Sequence, residues 1–395
     1  MKILNLATSL SGGAGIAALR SHNALVRGGV NSSLLTNRID SPDNSVDASY
    51  LEKSALNEFL SSGVTLAQRL LIQKSDDLIT PISLGRNVLT SKVFEEADVI
   101  HVHAFYNLLS LGSISRIIKS GKRLFITLHD ERMFTGGCHY SRNCENFNKA
   151  CKRCPQSTIL GKKIVSEAQN KSIQLFSSNK NVQFIAPSYW IKGKASRSAA
   201  LKNCKIDVVR NPIPQVFFDS ARVEKVEENR VKIGFISQNI ENPYKGIEVM
   251  ISALNSLPDD LLRKIELFLI GKARKNYENE RYLVTQISVG SDEHMAKMLN
   301  KLNFVVIPSS EDNFPSVIGE TLASGTRVIG SNVGGIAEAM VDFKLPGFKP
   351  NNFAELAKMI KLEMLEPKER IDLNKVEDEF SEKVYAQKML KLYRE

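Results

Sequence analysis

Tryptophan and cysteine are scarce in this chain of 395 residues, which contains one Trp and five Cys. No uninterrupted apolar run reaches the length needed to cross a bilayer. The N-terminus runs straight into a strand-like segment, residues 2–6, so no signal peptide is visible. Nucleic-acid-binding motifs and platforms of aromatic and basic side chains are also lacking. These absences predict a cytoplasmic protein that does not bind nucleic acid.

The charge of the chain is unevenly distributed. Residues 1–210 carry a net charge of +13 and residues 211–395 a net charge of −3, within a total of +10. A basic first half favours an anionic partner, either the surface of an anionic membrane, to which the protein would bind peripherally, or an acceptor lipid linked through a diphosphate. The alternative is a solvated basic surface that has no partner.

Strand-like apolar segments alternate with helical segments along the whole chain. This order predicts an α/β protein with two doubly wound parallel sheets, and 43% apolar residues are enough for two cores. The expected domains are residues 1–212, with a cysteine-rich loop at 133–156, and residues 230–378. A charged linker at 213–229 and a C-terminal helix at 379–395 complete the predicted organisation.

Two acidic residues, Asp312 and Glu320, follow the apolar run at 304–308. Asp312 falls on the predicted strand-to-helix loop and Glu320 falls in the helix after it. The carboxyl ends of parallel strands are where open α/β sheets bind ligands. Two carboxylates with free backbone N–H groups between them suit a ligand that carries both hydroxyls and phosphate, such as a nucleotide sugar. The alternative is that both acids cap a turn and face water.

The segment 309–338 resembles the acid-x7-acid signature of retaining glycosyltransferases of family four. The resemblance implies a GT-B architecture, in which two Rossmann-like domains face each other across a cleft and a C-terminal helix crosses back to the first domain. It implies that Asp312, where the family usually has Glu, contacts the donor sugar and that Glu320 holds the ribose. The residues implied in donor binding are Gly12, Gly13, Asn211, Lys245, Asp312, Phe314, Pro315, Ser316, Val317 and Glu320.

Lys245 and His129 receive further roles from the resemblance. Lys245 would pair with the donor diphosphate, so that catalysis requires no metal or other cofactor. The Arg that the family usually carries a few residues earlier is absent from segment 237–240. His129 ends a predicted strand and would touch the transferred sugar, so His129 and Asp312 are the expected catalytic residues. A buried structural role is the alternative for His129, and we expect that role for His101 and His103.

Gly12 and Gly13 follow the first predicted strand and precede the first predicted helix. The spacing G-x-G-x-x-G of a dinucleotide site is absent from this loop. Small residues at the N-terminus of a helix let an anion approach backbone N–H groups, which suits the donor diphosphate. A tight turn that uses glycine only for its positive φ is the alternative.

Four of the five cysteines, Cys138, Cys144, Cys151 and Cys154, lie within seventeen residues. Their block Phe134–Tyr140 resembles a subset of family-four enzymes that build bacterial polysaccharides. In a reducing compartment this clustering favours a structural four-thiolate zinc site, and such a metal would hold a loop too irregular and polar to hold itself. Two disulfides and free thiols remain the alternatives. Cys204 stands apart and reads as a small buried hydrophobe.

The sequence therefore predicts a retaining glycosyltransferase. Its donor would be a nucleotide-diphosphate sugar, and its acceptor a growing bacterial surface glycan, linked to a polyprenyl diphosphate. Two alternatives stay open, a catalytically inactive GT-B partner subunit and another GT-B enzyme such as a nucleotide-sugar epimerase.

Overall fold

A computed structural model of the chain describes residues 1–37, 49–51, 55–72, 79–177, 179, 181–223, 229–366 and 369–395. The chain divides into two compact units. Unit 1 comprises Met1–Asn211 and Tyr385–Glu395, and unit 2 comprises Pro212–Val384. Each unit has the α/β architecture that the alternating pattern predicts.

Unit 1 is built on a parallel sheet of seven described strands. Their order is β3-β2-β1-β4-β5-β6-β7, so the direction of strand addition reverses between β1 and β4. Ligands bind outside the carboxyl ends of the strands at such a reversal. The strands are β1 Lys2–Ala7, β2 Asn31–Thr36, β3 Ser49–Tyr50, β4 Val99–Ala104, β5 Arg123–Thr127, β6 Val182–Ala186 and β7 Ile206–Val208.

Helices cover the unit 1 sheet and bury an apolar face, except that helix Ala55–Arg69 and the turn after it leave Phe59, Leu66 and Leu70 exposed. Helix Leu111–Lys119 is an example of the buried face, because Ser110 caps its first turn and Ile114 and Ile117 enter the core. The helices of this part are α1 Gly12–Arg27, α2 Ala55–Arg69, α3 Lys92–Glu96, α4 Leu111–Lys119, α5 Ile159–Ser177 and α6 Tyr189–Arg197.

Unit 2 repeats the same plan with six described strands in the order β10-β9-β8-β11-β12-β13. The reversal lies between β8 and β11, where Phe304 pairs with Ile233. The strands are β8 Val231–Asn239, β9 Ile265–Lys272, β10 Leu283–Ile287, β11 Phe304–Ile307, β12 Arg327–Ser331 and β13 Gly347–Phe348. The helices are α7 Gln215–Ser220, α8 Ile247–Asn255, α9 Asp259–Leu262, α10 Asp292–Lys301, α11 Ser316–Ala323, α12 Gly334–Asp342, α13 Phe353–Leu365 and α14 Leu373–Phe380.

The predicted linker at 213–229 contains α7, which belongs to the core of unit 2. Phe217 is fully buried there and Phe218 nearly so. The amide of Asn300 donates a hydrogen bond of 2.7 Å to the carbonyl of Ser220. Two adjacent phenylalanines therefore make part of this segment a packed element, and residues 224–228 lie outside the described residues.

The last helix, α15 Glu382–Arg394, belongs to unit 1 from Tyr385 onward. The ring of Tyr393 is fully buried there against Phe125, with 4.9 Å between ring centroids. The guanidinium of Arg123 donates to the carbonyls of Leu392 and Tyr393 and so satisfies the end of the helix. Across the described ranges, no helix has both the length and the apolar character that spanning a membrane requires.

Candidate functional site

An ion pair joins two of the predicted donor-binding residues in unit 2. The Asp312 carboxylate, on the loop between β11 and α11, accepts a hydrogen bond of 2.6 Å from the ammonium of Lys245. The Asp312 side chain is 10% exposed and that of Lys245 is 28% exposed. The structure thus brings the lysine predicted for the diphosphate and the acid predicted for the sugar to one point at the carboxyl edge of the sheet.

The turn that carries Lys245 packs directly on the acid loop. Gly246 has a φ of 78°, and a Cβ there would lie 2.2 Å from the carbonyl oxygen of Pro308. The backbone N–H of Ser310 donates to the carbonyl of Tyr244 at 2.8 Å. Only glycine permits both the left-handed backbone and this approach, so the Lys-Gly pair has a local structural reason.

Two glycines at the start of α12 support the acid loop from the other side. A Cβ on Gly334 would lie 1.9 Å from the carbonyl oxygen of Asp312, and one on Gly335 would lie 1.8 Å from that of Asn313. The N–H of Gly335 donates to the Asp312 carbonyl at 3.2 Å. The glycine pair therefore fixes the backbone from which the Asp312 side chain projects.

Three acids are buried in this part of unit 2. Measured over the whole residue, Glu311 is 6% exposed and Asp312 and Glu320 are each 7% exposed. Ionised carboxylates are rarely buried without partners. Asp312 has its partner in Lys245, and Glu311 and Glu320 make polar contacts too. Asp312 and Glu320 therefore do not face water, as the alternative of solvated capping residues would require.

The remaining predicted residues of this loop divide into packing and backbone roles. Phe314 is buried against Phe380, with 5.9 Å between ring centroids, so a ligand contact at this position would come from its backbone. Pro315, Ser316 and Val317 are half-buried at the N-terminus of α11. The first N–H groups of a helix have no intrahelical partner and attract phosphate.

The segment that lacks the expected Arg is the end of β8. The Ser237 hydroxyl donates to the carbonyl of Asn239 at 2.7 Å. A Cβ on Gly271 of β9 would lie 1.7 Å from the carbonyl oxygen of Ser237. The two strands are therefore in close contact where the family carries its Arg, and Lys245 is the cation that the described contacts place beside Asp312.

In unit 1, His129 belongs to a stack of histidines at the carboxyl ends of β4 and β5. Its Nε2 lies 3.3 Å from Nδ1 of His103, and the two rings stack with centroids 5.5 Å apart. His103 Nε2 lies 3.2 Å from the side-chain oxygen of Asn5. His101 and His103 are buried, as expected, with exposures of 0% and 4%, whereas His129 is half-buried.

Asn5 decides which nitrogen of each ring carries the proton. Its amide NH₂ donates to the Ser32 hydroxyl at 2.9 Å and to the Ser33 carbonyl at 3.4 Å, so its oxygen faces His103 and can only accept. His103 must therefore carry its proton on Nε2. Burial lowers the pKa of His103 well below its usual 6.5, so the ring is neutral and its Nδ1 accepts from His129.

The same reasoning fixes the state of His129. Burial lowers the pKa of His129 to about 4, so this ring is also neutral near pH 7. Its proton lies on Nε2, the atom directed at His103, so Nδ1 carries the lone pair of the neutral ring. A neutral acceptor of this kind suits a hydroxyl group better than a phosphate, because it brings no positive charge.

The sequence analysis did not identify Tyr393, Thr127 and Asn5 as partners of the histidines. Tyr393 OH lies 2.6 Å from His101 Nδ1, and Thr127 Oγ1 lies 2.8 Å from His101 Nε2. Burial lowers the pKa of His101 to about 3. One signal was available for Asn5, because an amide between the apolar residues of the first strand must find buried partners.

The predicted glycine loop and Asn211 are less informative. Gly12 has a φ of 74°, and a Cβ on Gly13 would meet nothing within 4 Å. Gly15 is the tightly packed member, since a Cβ there would lie 2.5 Å from the carbonyl of Ser9. Packing therefore leaves room above Gly13 at the N-terminus of α1. Asn211 is the last residue of the first segment of unit 1 and is half-buried.

The four clustered cysteines are free thiols, and Cys138, Cys151 and Cys154 are buried. Among the described residues, no three His, Cys, Asp or Glu side chains are arranged to hold a metal ion. Cys138 Sγ instead donates to the Tyr140 carbonyl at 3.1 Å. Burial raises the pKa of Cys138 and raises that of Cys151 to about 12, so both are protonated near neutral pH. The other thiols of the cluster also raise the pKa of Cys138, so the four side chains are neighbours, and zinc binding stays a prediction.

The expectation that this loop is too polar to hold itself is wrong. Phe134 and Phe147 are buried in the unit 1 core with their rings 5.6 Å apart. The ammonium of Lys194 forms a buried ion pair with Glu131 at 2.5 Å and donates to the Ser141 hydroxyl at 2.6 Å. The two aromatic side chains and this network hold the loop against the sheet.

Comparison with known proteins agrees with this geometry. The family model described as Glycosyl transferases group 1 matches residues 219–378, which lie in unit 2 and contain the Lys245–Asp312 pair. A protein of Escherichia coli (strain K12), named as a colanic acid biosynthesis glycosyl transferase, WcaC, is 24% identical over 254 residues. That match spans 59% of this chain and 60% of the length of the relative.

Solved structures match the chain over its whole length. Sucrose-phosphate synthase from Thermosynechococcus elongatus has a TM-score of 0.61 at 15% identity and is covered to 98%. The Anabaena protein Alr3699/HepE in complex with UDP-glucose has the same TM-score and identity and is covered to 99%. Trehalose-6-phosphate synthase OtsA has a TM-score of 0.69 at 11% identity, covered to 99%. The chain therefore has the GT-B fold, and the Glycosyl transferases group 1 model matches its unit 2.

Proposed function

We propose that this protein is a retaining glycosyltransferase that moves a sugar from a nucleotide-diphosphate sugar to a growing, lipid-linked bacterial surface glycan. The observation that carries the proposal is the Lys245–Asp312 ion pair beside the N-terminus of α11. It lies within the segment that matches the group 1 glycosyl transferases. The relative named for colanic acid biosynthesis supports the glycan, and the Anabaena complex with UDP-glucose supports the donor class.

The residues of unit 2 would act on the charged part of the donor. Lys245 and the first N–H groups of α11 would bind the diphosphate, and Glu320 would accept hydrogen bonds from the ribose hydroxyls. Asp312 would hold Lys245 in place before the donor arrives and then accept from a sugar hydroxyl. The diphosphate gains negative charge as it leaves, so a fixed ammonium stabilises the transition state more than the ground state.

The transfer itself needs no enzyme nucleophile in this proposal. The acceptor hydroxyl attacks C1 from the face that the diphosphate leaves, a C1–O bond to the acceptor forms, and the C1–O bond to the diphosphate breaks. The proton of the acceptor hydroxyl passes to the departing phosphate oxygen. His129 would touch the transferred sugar and orient it.

One observation favours a second candidate, a catalytically inactive partner subunit. Lys245 already has its charge paired with Asp312, and the segment 237–240 lacks the Arg expected in the family. An enzyme with only one leaving-group cation could bind a donor without turning it over.

A panel of nucleotide sugars separates the two candidates. The protein is incubated with UDP-, GDP- and dTDP-sugars and a lipid-linked acceptor extract, and release of nucleoside diphosphate is measured. We expect turnover with one donor. NMR of the product should show the transferred sugar with the same anomeric configuration that it had in the donor. Donor binding by calorimetry without release or transfer would replace the enzyme with the inactive subunit.

A further inference from the structure

A buried arginine of unit 1 has aromatic neighbours and lacks an anionic partner. Arg132 is 7% exposed and lies in the turn that precedes the cysteine-rich loop. Its guanidinium carbon lies 4.4 Å from the ring centroid of Phe105 and 4.6 Å from that of Tyr106. Its Nε is enclosed and has no hydrogen-bond partner among the described residues. Because a guanidinium keeps its charge inside a protein, burying it without an anion is costly.

The neighbouring carboxylate of Asp130 is engaged with other groups. One of its oxygens accepts from the backbone N–H of Arg132 at 2.9 Å, and the other lies 2.9 Å from Nδ1 of His139. Nε2 of His139 in turn lies 2.8 Å from the hydroxyl oxygen of Thr80. Asp130 therefore fixes the backbone of Arg132 and orients His139, while its negative charge alone supports the guanidinium.

The loop that supplies the two aromatic rings follows β4 and is held in place by its backbone. Asn107 has a φ of 60°, a left-handed conformation that is uncommon outside glycine and clusters at functional sites. Its N–H donates to the Ser83 hydroxyl at 3.1 Å, and its carbonyl accepts from the amide of Asn37 at 3.3 Å. Its side-chain oxygen is buried without a partner among the described residues. The loops after β4 and β5 thus each keep an unused polar atom at one edge of the sheet.

Arg132 lies just below the surface of unit 1. Phe105, Tyr106 and Asn107 are half-buried. The side chain of Asp130 is 33% exposed and that of His139 is 18% exposed. A ligand group that reaches Arg132 can therefore belong to a larger molecule that remains in solvent.

We propose that Arg132, Phe105 and Tyr106 form a subsite for an acceptor sugar that carries a carboxylate, that is, a hexuronic acid. The guanidinium would bind the carboxylate through two parallel N–H···O hydrogen bonds. The aromatic rings would contact the C–H groups of the sugar ring, in keeping with the mostly apolar walls and few polar groups of ligand sites. We call these three residues the carboxylate subsite. The inference rests on the proposed function, because it specifies the acceptor of that reaction.

Charge favours a carboxylate over a phosphate at this subsite. A carboxylate carries one negative charge, which Arg132 balances, whereas a phosphate ester carries about two and would also meet Asp130. The other buried cation of this region, Lys194, is paired with Glu131 at 2.5 Å. Phosphate sites often use the N–H groups at the start of a helix, and residues 130–137 form turns and bends instead.

Binding of small sugars tests the carboxylate subsite with the full chain. Methyl glucuronide, methyl glucoside and inorganic phosphate are titrated into arginine-labelled protein, and the Nε–H signal of Arg132 is followed by nitrogen NMR. We expect the glucuronide to shift this signal and to bind at least about tenfold more tightly than the glucoside, because only the glucuronide offers a charged partner to the guanidinium.

Substitutions at Arg132 test the role of its charge and of its shape. Arg132→Gln should remove the preference for glucuronide over glucoside, and Arg132→Lys should restore only part of it, because an ammonium keeps the charge and loses the planar fork. Arg116→Gln changes an exposed arginine of α4 and is the matched control, which should bind like the wild type. Hydrogen exchange of β4 and β5 reports whether each variant keeps unit 1 folded. The comparison of the three ligands needs only the wild type, so it decides the matter even if a variant unfolds.

Several results would overturn the carboxylate subsite. Equal affinity of the wild type for glucuronide and glucoside would do so, as would glucuronide binding that leaves the Arg132 signal unmoved. Failure of all three ligands to bind counts against it as well. Phosphate that shifts the Arg132 signal at lower concentration than the glucuronide would replace the carboxylate with a phosphorylated acceptor.

The donor assay keeps this test separate from the proposed function. A protein that binds the glucuronide through Arg132 but neither binds nor turns over any nucleotide sugar would retain the carboxylate subsite and contradict the proposed transferase. Turnover of a nucleotide sugar by a protein whose Arg132 signal ignores the glucuronide would contradict the subsite and leave the glycosyltransferase proposal standing.

Discussion

The two units share one topology but place opposite chemistry at the carboxyl ends of their strands. In unit 1 the groups near the reversal of strand order are histidines that burial keeps neutral. At the corresponding reversal of unit 2 the groups are charged, with Lys245 paired to Asp312 and further acids beside them. Neutral acceptors suit hydroxyls and fixed ions suit a diphosphate. The fold supplies the place, and a few side chains decide the ligand.

The largest expected effect is a difference in acid sensitivity between the units. The pKa of buried His101 is about 3 in the folded protein against 6.5 when exposed, so the folded state binds fewer protons. Above about pH 6.5 the ring is neutral in both states and does not lower the free energy of unfolding. As pH falls from 6.5 toward 3, the unfolded chain gains a proton that the folded protein cannot accept, and the free energy of unfolding falls by about 1.4 kcal/mol per pH unit. His103 shifts in the same direction and adds to the slope. Hydrogen exchange at pH 7 and pH 5 should show unit 1 opening much more readily at pH 5.

Unit 2 provides the internal control for this measurement. Its single histidine, His294, is exposed on α10, so its peptides should exchange with little change in stability over the same pH range. His294→Gln should leave both units as they are. Equal loss of protection in the two units would remove the contrast between neutral and charged sites.

The next effect concerns the charged site. Lys245→Ala and Glu320→Ala should each weaken binding of the nucleoside diphosphate by about 1.5–3 kcal/mol, because each removes a charged partner of a ligand hydrogen bond. Titration calorimetry with the nucleotide measures this directly. Lys297→Ala, an exposed lysine of the same unit, is the control. Unchanged affinity in both site variants would end the donor assignment.

The neutral site should affect turnover and spare nucleotide binding. His129→Ala is expected to lower kcat at least tenfold, about 1.4 kcal/mol, while the nucleotide affinity stays at the wild-type value. The reason is that a neutral imidazole acts on a sugar hydroxyl and has little to offer a diphosphate. A variant with wild-type turnover would return His129 to a structural role.

Asn5 offers a finer test of the same site. Asn5→Leu removes the acceptor that holds the proton of His103 on Nε2, so nitrogen NMR of histidine-labelled protein should show His129 losing its single tautomer, with a smaller fall in turnover than His129→Ala. Thr127→Val is the matched control, because it removes a buried hydrogen bond to His101 and leaves the hydrogen bonds of His103 to Asn5 and His129 in place. An unchanged proton position on His129 in Asn5→Leu would contradict the role of Asn5.

Local patterns in the sequence sufficed for the fold and for the charged site. Alternating strands and helices define both sheets, and Asp312, Glu320 and Lys245 lie in short segments whose neighbours resemble a known signature. The histidine array escaped prediction because its partners are far apart in the chain; Tyr393 and His101 are separated by 292 positions. The orientation of α2 escaped as well, because helical periodicity shows which residues share a face and is silent on whether that face points inward.

The smallest expected effect on stability concerns the cysteine cluster. Here the sequence and the structure lead to different expectations about a metal. The spacing of Cys138, Cys144, Cys151 and Cys154 predicts one zinc, whereas the described residues contain no group arranged to hold a metal. Phe134, Phe147 and the Lys194–Glu131 pair already anchor the loop, so a metal would add little stability. Elemental analysis after purification under reducing conditions decides the matter.

One equivalent of zinc would require the sulfurs to converge at about 2.3 Å from a common centre, and the thiols to lose their protons. Because the pKa of Cys151 is raised to about 12, the metal-free thiol should resist alkylation near pH 8. Bound zinc would also shield it, so reactivity is informative only after a chelator has been added. Less than about a tenth of an equivalent of zinc, with alkylation unchanged by the chelator, would rule the metal out. In either case nucleotide affinity should stay constant, because the loop belongs to unit 1 and the proposed donor residues Lys245, Asp312 and Glu320 belong to unit 2.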